Sequence, residues 1–317
     1  MTDHPARPVA IRVGTVVFGC IVIACSSAGL DEAVVSVSDV HRFVDAEHRM
    51  TPADSTCGPF DSYFSEGTAG LSAYARKFSV GRTDLCAAFR KRRARYVALD
   101  TLLPALDSAA AKIRNLFARF KGISQSAKMP DVYVVVGTGI AGGTTIGWRS
   151  PKVLIGAELL RSATGLPWTV AHELGHTQQD YSWWGALTGG PTFLRATLLR
   201  QSITEGVADV VAEVLTGEQK RSGYGEAHEA ALWVEFQRDM HRRDYGGWLY
   251  NGRSQRAADG RPADIGYWVG YRIARAYYDR GPDKSRALHE MLTIRDFDAF
   301  LVASGYPRVA TLANQHP

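Results

Sequence analysis

The chain has 317 residues, 45% of them hydrophobic and 22% charged, with a formal net charge of +5. These proportions exclude a disordered or fibrous protein and suffice for one large domain, or two small ones, with a real core. A charge excess this small singles out no partner.

The first 25 residues read as an export signal and not as fold. Arg7 and Arg12 precede the apolar run VGTVVFGCIVI, which has the length of a signal-peptide core. A membrane-spanning helix, the alternative, needs about 20 apolar residues. The run ends in Val22-Ile23-Ala24-Cys25, which resembles a bacterial lipobox; Gly19-Cys20 is a poorer match, because it would cut the apolar run in the middle. The resemblance implies that Cys25 is lipidated and becomes the mature N-terminus. The protein is then anchored to a membrane of the cell envelope, facing the periplasm or the cell surface. Ser26 stands where an aspartate would imply inner-membrane retention, which favours the outer membrane.

With Cys20 removed and Cys25 lipidated, Cys57 and Cys86 remain as an even pair in an oxidising compartment. A disulfide is predicted between them, with two buried free thiols as the alternative. Closing a loop of about 30 residues contributes roughly 3–4 kcal/mol in the chain-entropy model.

Residues 26–129 form a mainly helical part. AVVSV reads as a short strand, and a helix begins in SVSDVHRFVDAEHRM with Ser38 or Asp39 as N-cap. Apolar residues at three- and four-residue spacing predict helices over residues 68–120. The basic run RKRRAR at residues 90–95 interrupts this pattern and is read as a solvated helix face, ahead of contact with anionic lipid headgroups or nucleic acid.

Residues 130–217 carry the chemistry. DVYVVV and KVLIG are strands by their β-branched content, joined by a glycine-rich link. That link, GTGIAGG, contains the spacing GxGxxG at Gly137, Gly139 and Gly142. A dinucleotide site would require it to open a crossover helix, and too few residues separate the strands for one. No nucleotide cofactor is expected; the glycines make a tight hairpin or loop. The helix containing TVAHELGHTQQD follows, then the aromatic, glycine-rich YSWWGALTGGPTF, then the helix TEGVADVVAEVLTG closed by Gly217. Residues 218–317 read as a helical part that closes the cleft, with helices over 226–245 and 264–280 and through SRALHEMLTIRDFDAFLVASGY. The sum is an α+β chain with a small sheet among many helices.

In HELGH, His172 and His176 lie four residues apart and share a helix face, so both imidazoles can bind one cation. Glu173 lies about 100° round the helix, where it reaches a water and not the ion itself. His228-Glu229 and His289-Glu290 lack a second histidine, with Leu232 and Thr293 in its place. A catalytic zinc needs a third protein ligand and an open position. Glu205 supplies the ligand on the later helix, with Glu213 in reserve. Asp209, one turn on, accepts the spare N–H of a ligand histidine, most simply His172. Ser202 to Glu205 also spells a capping box, in which Glu205 would only satisfy a helix end.

HExxH followed by ExxxD on a later helix resembles the gluzincin, or thermolysin-like, metallopeptidases. The segments PDVYVVVG, GGTT, VLIGAEL, AHELGHTQQ, ITEGVADVVAE and GYWVGYRIARAYYD resemble more closely a family of bacterial lipoproteins described as predicted zinc-dependent proteases, some related to gliding-motility lipoproteins. The resemblance implies a zincin-like fold with a small mixed sheet packed on the HExxH helix. It implies Zn2+ on His172, His176 and Glu205, Glu173 as the base, and Asp209 behind His172. The 28 residues between His176 and Glu205 exceed the spacing in thermolysin, so pocket shape does not transfer.

A protein or peptide is the expected substrate, laid along a sheet edge formed by DVYVVV or KVLIG. Tyr267, ahead of Tyr271, is the candidate oxyanion donor; the alternative packs both tyrosines in the core with Trp268. Trp183 and Trp184 line the substrate pocket or bury their loop. A zinc amidase acting on cell-wall peptides and a non-catalytic envelope lipoprotein are the competing functions.

Overall fold

The computed structural model describes residues 33–307, apart from 52–53, 55, 125, 148–149, 161, 181–195 and 252–259. Cys25 and the segment with Trp183 and Trp184 lie outside the described residues. Among the described residues, no helix is long and apolar enough to cross a membrane.

The architecture is α+β: helices surround one small mixed sheet. The strands are β1 (Val35–Ser36), β2 (Asp131–Val135), β3 (Gly143–Ile146) and β4 (Lys152–Gly156), in the order β1-β2-β4-β3. β1 and β4 run parallel to β2, and β3 runs antiparallel to β4. DVYVVV and KVLIG are therefore interior, and neither is the edge. The edges are the two-residue β1 and the longer β3, the latter from the stretch read as a link; Gly147 turns β3 into β4 with φ +79°. β2 and β4 bury four of their five residues each, as befits parallel strands covered by helices.

The N-terminal part contains α1 (Ser38–His48), α2 (Phe60–Ser65), α3 (Ala69–Phe78), α4 (Arg82–Lys91) and α5 (Arg93–Ile123). Val37, not Ser38 or Asp39, is the N-cap residue of α1. Asp39 is buried instead and takes hydrogen bonds from the Thr68 amide (3.0 Å) and hydroxyl (2.5 Å). Cys57 and Cys86 are joined by a disulfide, with Cα atoms 5.8 Å apart. α5 buries Leu99, Leu106, Ala109, Ile113, Leu116 and Phe120, the spacing of one helix face.

The basic run is solvated as expected except at Arg92, but it does not lie on one continuous helix. The helix breaks at Arg92, which donates to Thr138 O at 2.6 Å, and Arg95 Nε donates to Glu158 O. Glu158 is 1% exposed, and its carboxylate accepts the Gly137 amide at 2.9 Å and the Gly139 amide at 2.7 Å. The glycine-rich loop is thus wrapped round an internal carboxylate.

The site is carried by α6 (Leu166–Gln178) and α7 (Leu198–Thr216), and α7 packs in turn on α10 (Ile265–Arg280). Thr197 caps α7 by accepting from Arg200 N, and Gly217 ends it in the left-handed region. Ser202 lies inside α7 and is fully buried, so the capping-box reading of Ser202 and Glu205 fails.

The helix expected over 226–245 is two: α8 (Gly223–Ala227) and α9 (Glu229–Asp239). The last expected helix also divides, into α11 (Lys284–Leu292) and α12 (Phe297–Ser304). Asp296 restarts the chain by accepting the amides of Asp298 and Ala299. A single hydrophobic core runs through all these elements.

Successive strand residues face opposite sides. Thr144 Oγ1 accepts from Lys77 of α3 at 2.6 Å, and Thr145 Oγ1 donates to Glu173 of α6 at 2.9 Å. α3 and α6 therefore cover opposite faces of the edge strand.

Candidate metal centre

Three glycines set how closely the helices approach. A Cβ on Gly175, inside HELGH, would lie 3.0 Å from Ala208 Cα, which brings α6 onto α7. A Cβ on Gly206 would lie 2.0 Å from the backbone of Gly270, and one on Gly270 1.7 Å from Ser202 O, which brings α10 onto the other side of α7. The ligand-bearing helix is gripped backbone to backbone.

This packing places His172, His176 and Glu205 together. Their nearest atoms form a triangle: His172 Nε2 to His176 Nε2 is 3.1 Å, His176 Nε2 to Glu205 Oε2 is 3.1 Å, and His172 Nε2 to Glu205 Oε2 is 3.4 Å. Atoms bound at roughly 2.0–2.1 Å round a tetrahedral ion lie about 3.3–3.4 Å apart, so the triangle has the size of one face of such a site. The side chains are 12%, 20% and 9% exposed, which leaves one open side. The buried histidine–histidine–glutamate group could hold a metal ion.

Both histidines are held from behind. Asp209 Oδ1 lies 2.9 Å from His172 Nδ1, and Lys220 Nζ pairs with Asp209 Oδ2. Gln179 Oε1 lies 2.9 Å from His176 Nδ1, and its amide donates to Thr204 O at 2.7 Å. Both imidazoles thus turn Nε2 towards the triangle. Burial alone would lower His172, but Asp209 and Glu205 outweigh it and raise the ring to about 10. His176 is raised by Glu205 against the same burial. Glu205 is held well below the usual carboxylate range by the two rings, although its burial acts the other way. The cluster calls for positive charge, as protons or as a cation.

Glu173 is 7% exposed, held by Thr145 and lying over Gly143, where a Cβ would come within 2.6 Å of its Oε1. Tyr267 lies near the site: its ring is 5.3 Å from the Lys220 ammonium and 6.2 Å, edge-on, from the Tyr250 ring. Burial, and then the charge of Glu205, pushes its hydroxyl well up, so it remains protonated. Tyr271 faces elsewhere and donates to Glu213 at 2.7 Å, while Arg275 takes the other oxygen of Glu213 at 2.7 Å. Glu213, the reserve ligand, is thereby occupied. Trp268 is buried against Gly225.

Sequence reasoning missed Thr145, Gln179, Gln201, Lys220 and Tyr250. Gln179 and Gln201 carried a usable signal, since each lies one helical turn from a ligand. Tyr250 and Lys220 lie outside helices, and the fold alone brings them in.

No protein-family model, curated protein or solved structure matches this chain.

Proposed function

We propose that the chain is a zinc-dependent peptidase, exported and held to the envelope by lipid on Cys25. The triangle of His172, His176 and Glu205, with Glu173 beside it, is the observation that carries this reading. The three side chains hold Zn2+, which when bound supplies Lewis-acid polarisation of a carbonyl and a more acidic water.

The residues of the chain do the rest. Asp209 and Gln179 fix the histidine tautomers. Glu173, steadied by Thr145, takes a proton from the attacking water and returns it to the departing amine. Tyr267 donates towards the developing oxyanion. Gly142 O accepts from Gly156 N, so the backbone groups of Gly143 and Thr145 point away from β4. Lys77 Nζ already donates to Thr145 O at 3.3 Å, so an extended peptide adding there as a further strand pairs with the Gly143 groups and the Thr145 amide. A cavity of about 430 Å³, lined by Gly142, Leu160, Trp168 and Lys220 among others, receives a side chain. Trp168 stacks on His172 at 5.7 Å, so this cavity opens beside the ligands.

The test compares metal content and cleavage of casein-derived peptides for wild type and Glu173→Gln. Both should hold one zinc per chain, and the variant should lose about 10²- to 10⁴-fold in kcat/KM. Wild-type cleavage by Glu173→Gln would overturn the proposal. A Cys25→Ala protein should keep the peptidase in vitro and lose only its membrane attachment. Cleavage of wall-peptide fragments in place of casein peptides would assign the substrate to the cell wall.

A further inference from the structure

Only one oxygen of Glu205 faces the histidines. Oε2 belongs to the ligand triangle, whereas Oε1 accepts the Tyr250 hydroxyl at 2.9 Å and Gln201 Nε2 at 3.1 Å. Gln201 also donates to the Tyr250 oxygen at 2.6 Å, which directs the hydroxyl proton to the carboxylate. Gln201 reaches Oε1 by helical spacing, four residues before Glu205.

Tyr250 reaches it by a strained route. Its φ is +59°, in the left-handed region, and the residue as a whole is exposed although its hydroxyl end is buried against Glu205. A bulky residue at positive φ is a rare and costly state. The chain around it is fixed by a reciprocal pair: Asn251 N donates to Asp264 Oδ1 at 2.7 Å, and Asp264 N to Asn251 Oδ1 at 2.6 Å. Asp264 also has φ +59°. These features together present one hydroxyl to one oxygen.

We infer that Tyr250 is a positioning residue which, with Gln201, holds Glu205 as a single-oxygen ligand. This rests on the metal-binding reading of the triangle. Carboxylates bind cations through one oxygen or two. With Oε1 engaged by two donors, only Oε2 is offered, and three protein atoms leave a fourth position for solvent or substrate. Without the two donors, Oε1 is free to turn towards the ion and fill that position.

The experiment uses the full chain, stripped with a chelator and reloaded with Co2+ for visible absorption or Zn2+ for X-ray absorption. Wild type, Tyr250→Phe and the double variant Tyr250→Phe with Gln201→Leu are compared, and thermal melts confirm folding. Wild type should show the intense visible bands of four-coordinate cobalt. The double variant should lose most of that intensity and gain one oxygen neighbour at the zinc edge, and Tyr250→Phe, which keeps Gln201, should lie between it and wild type. Their peptide cleavage should fall in kcat with KM little changed. Identical cobalt spectra and zinc neighbours in folded wild type and variants would overturn the clamp while leaving the metal site intact. Failure of wild type to take up either ion would overturn the metal reading, and the clamp with it.

Discussion

The N-terminal helices and the site helices are held together by opposite means. Around α1, α2, α4 and α5 the rings of Phe43, Phe60, Phe89 and Tyr96 interlock at centroid distances of 5.1–6.4 Å, beside the Cys57–Cys86 bond. Side-chain bulk fills that region, and the carboxylate buried beside it, Asp39, is held by Thr68 and Arg42. Around α6, α7 and α10, glycines let backbones touch, and α7 carries Glu205 and Asp209 into the interior one turn apart. A buried carboxylate is costly unless paired. The first region is stable through its own packing; the second is completed by positive charge at the ligand triangle.

The largest effect that separates the two regions comes from removing their respective ties. On the metal reading, zinc at a thousandfold excess over its dissociation constant stabilises by about 4 kcal/mol. The disulfide contributes roughly 3–4 kcal/mol. Chelation should raise hydrogen exchange first in α6 and α7, and reduction first in α2 and α4. Mass-resolved exchange under each treatment checks this. If both treatments release the same amides together, the two regions are one cooperative unit and the contrast is wrong.

A smaller effect turns on one substitution made in both places. Gly122, in the last turn of α5, has open space where a Cβ would stand. Gly122→Ala should stabilise the protein by roughly 0.5–1 kcal/mol, by reducing the freedom of the unfolded chain. Gly206→Ala meets backbone atoms of α10 at 2.0 Å. It should destabilise by about 3 kcal/mol, the upper part of the overpacking range, because backbone yields less readily than a side chain. Urea denaturation of the two variants reads the sign directly. A stable Gly206→Ala protein would show that α7 and α10 can separate without loss.

The sequence signalled this site wherever the signal was local. Four-residue spacing put His172 and His176 on one face, and the same spacing put Asp209 behind Glu205. Long apolar periodicity located α5 and α7. What it concealed arises from tertiary contact. β3 has four residues, two of them threonine, and takes its strand form from pairing with β4; strand preference depends on such neighbours. The break at Arg92 was hidden because a run of arginines suits a helix surface, while Thr138 O and Glu158 O, which take the side chains, lie far along the chain. Nothing local marks Gly206 and Gly270 as a crossing point; only the packed helices show that Gly206 makes room for the Gly270 backbone and Gly270 for Ser202 O.

The smallest predicted effect concerns Glu158, which ties the glycine-rich loop leading to β3 to α5 of the N-terminal region. Burial raises its carboxyl above the ordinary value of 4.5, and the Gly137 and Gly139 amides only partly offset this. The folded protein therefore keeps a proton on Glu158 at pH values where the unfolded chain has lost it. Its contribution to stability is complete below about pH 4.5 and is lost as pH rises through the folded value. Glu158→Gln imitates the protonated acid in shape and charge. Measured by urea denaturation, the variant should gain on wild type as pH rises from 4.5 towards neutrality, while the slopes due to all other groups cancel in the difference. Parallel curves would mean that Arg92 and the two amides fully compensate the charge. The joint between the two regions would then behave like the charged helices, where a partner answers each carboxylate, and not like the aromatic core, where burial alone decides.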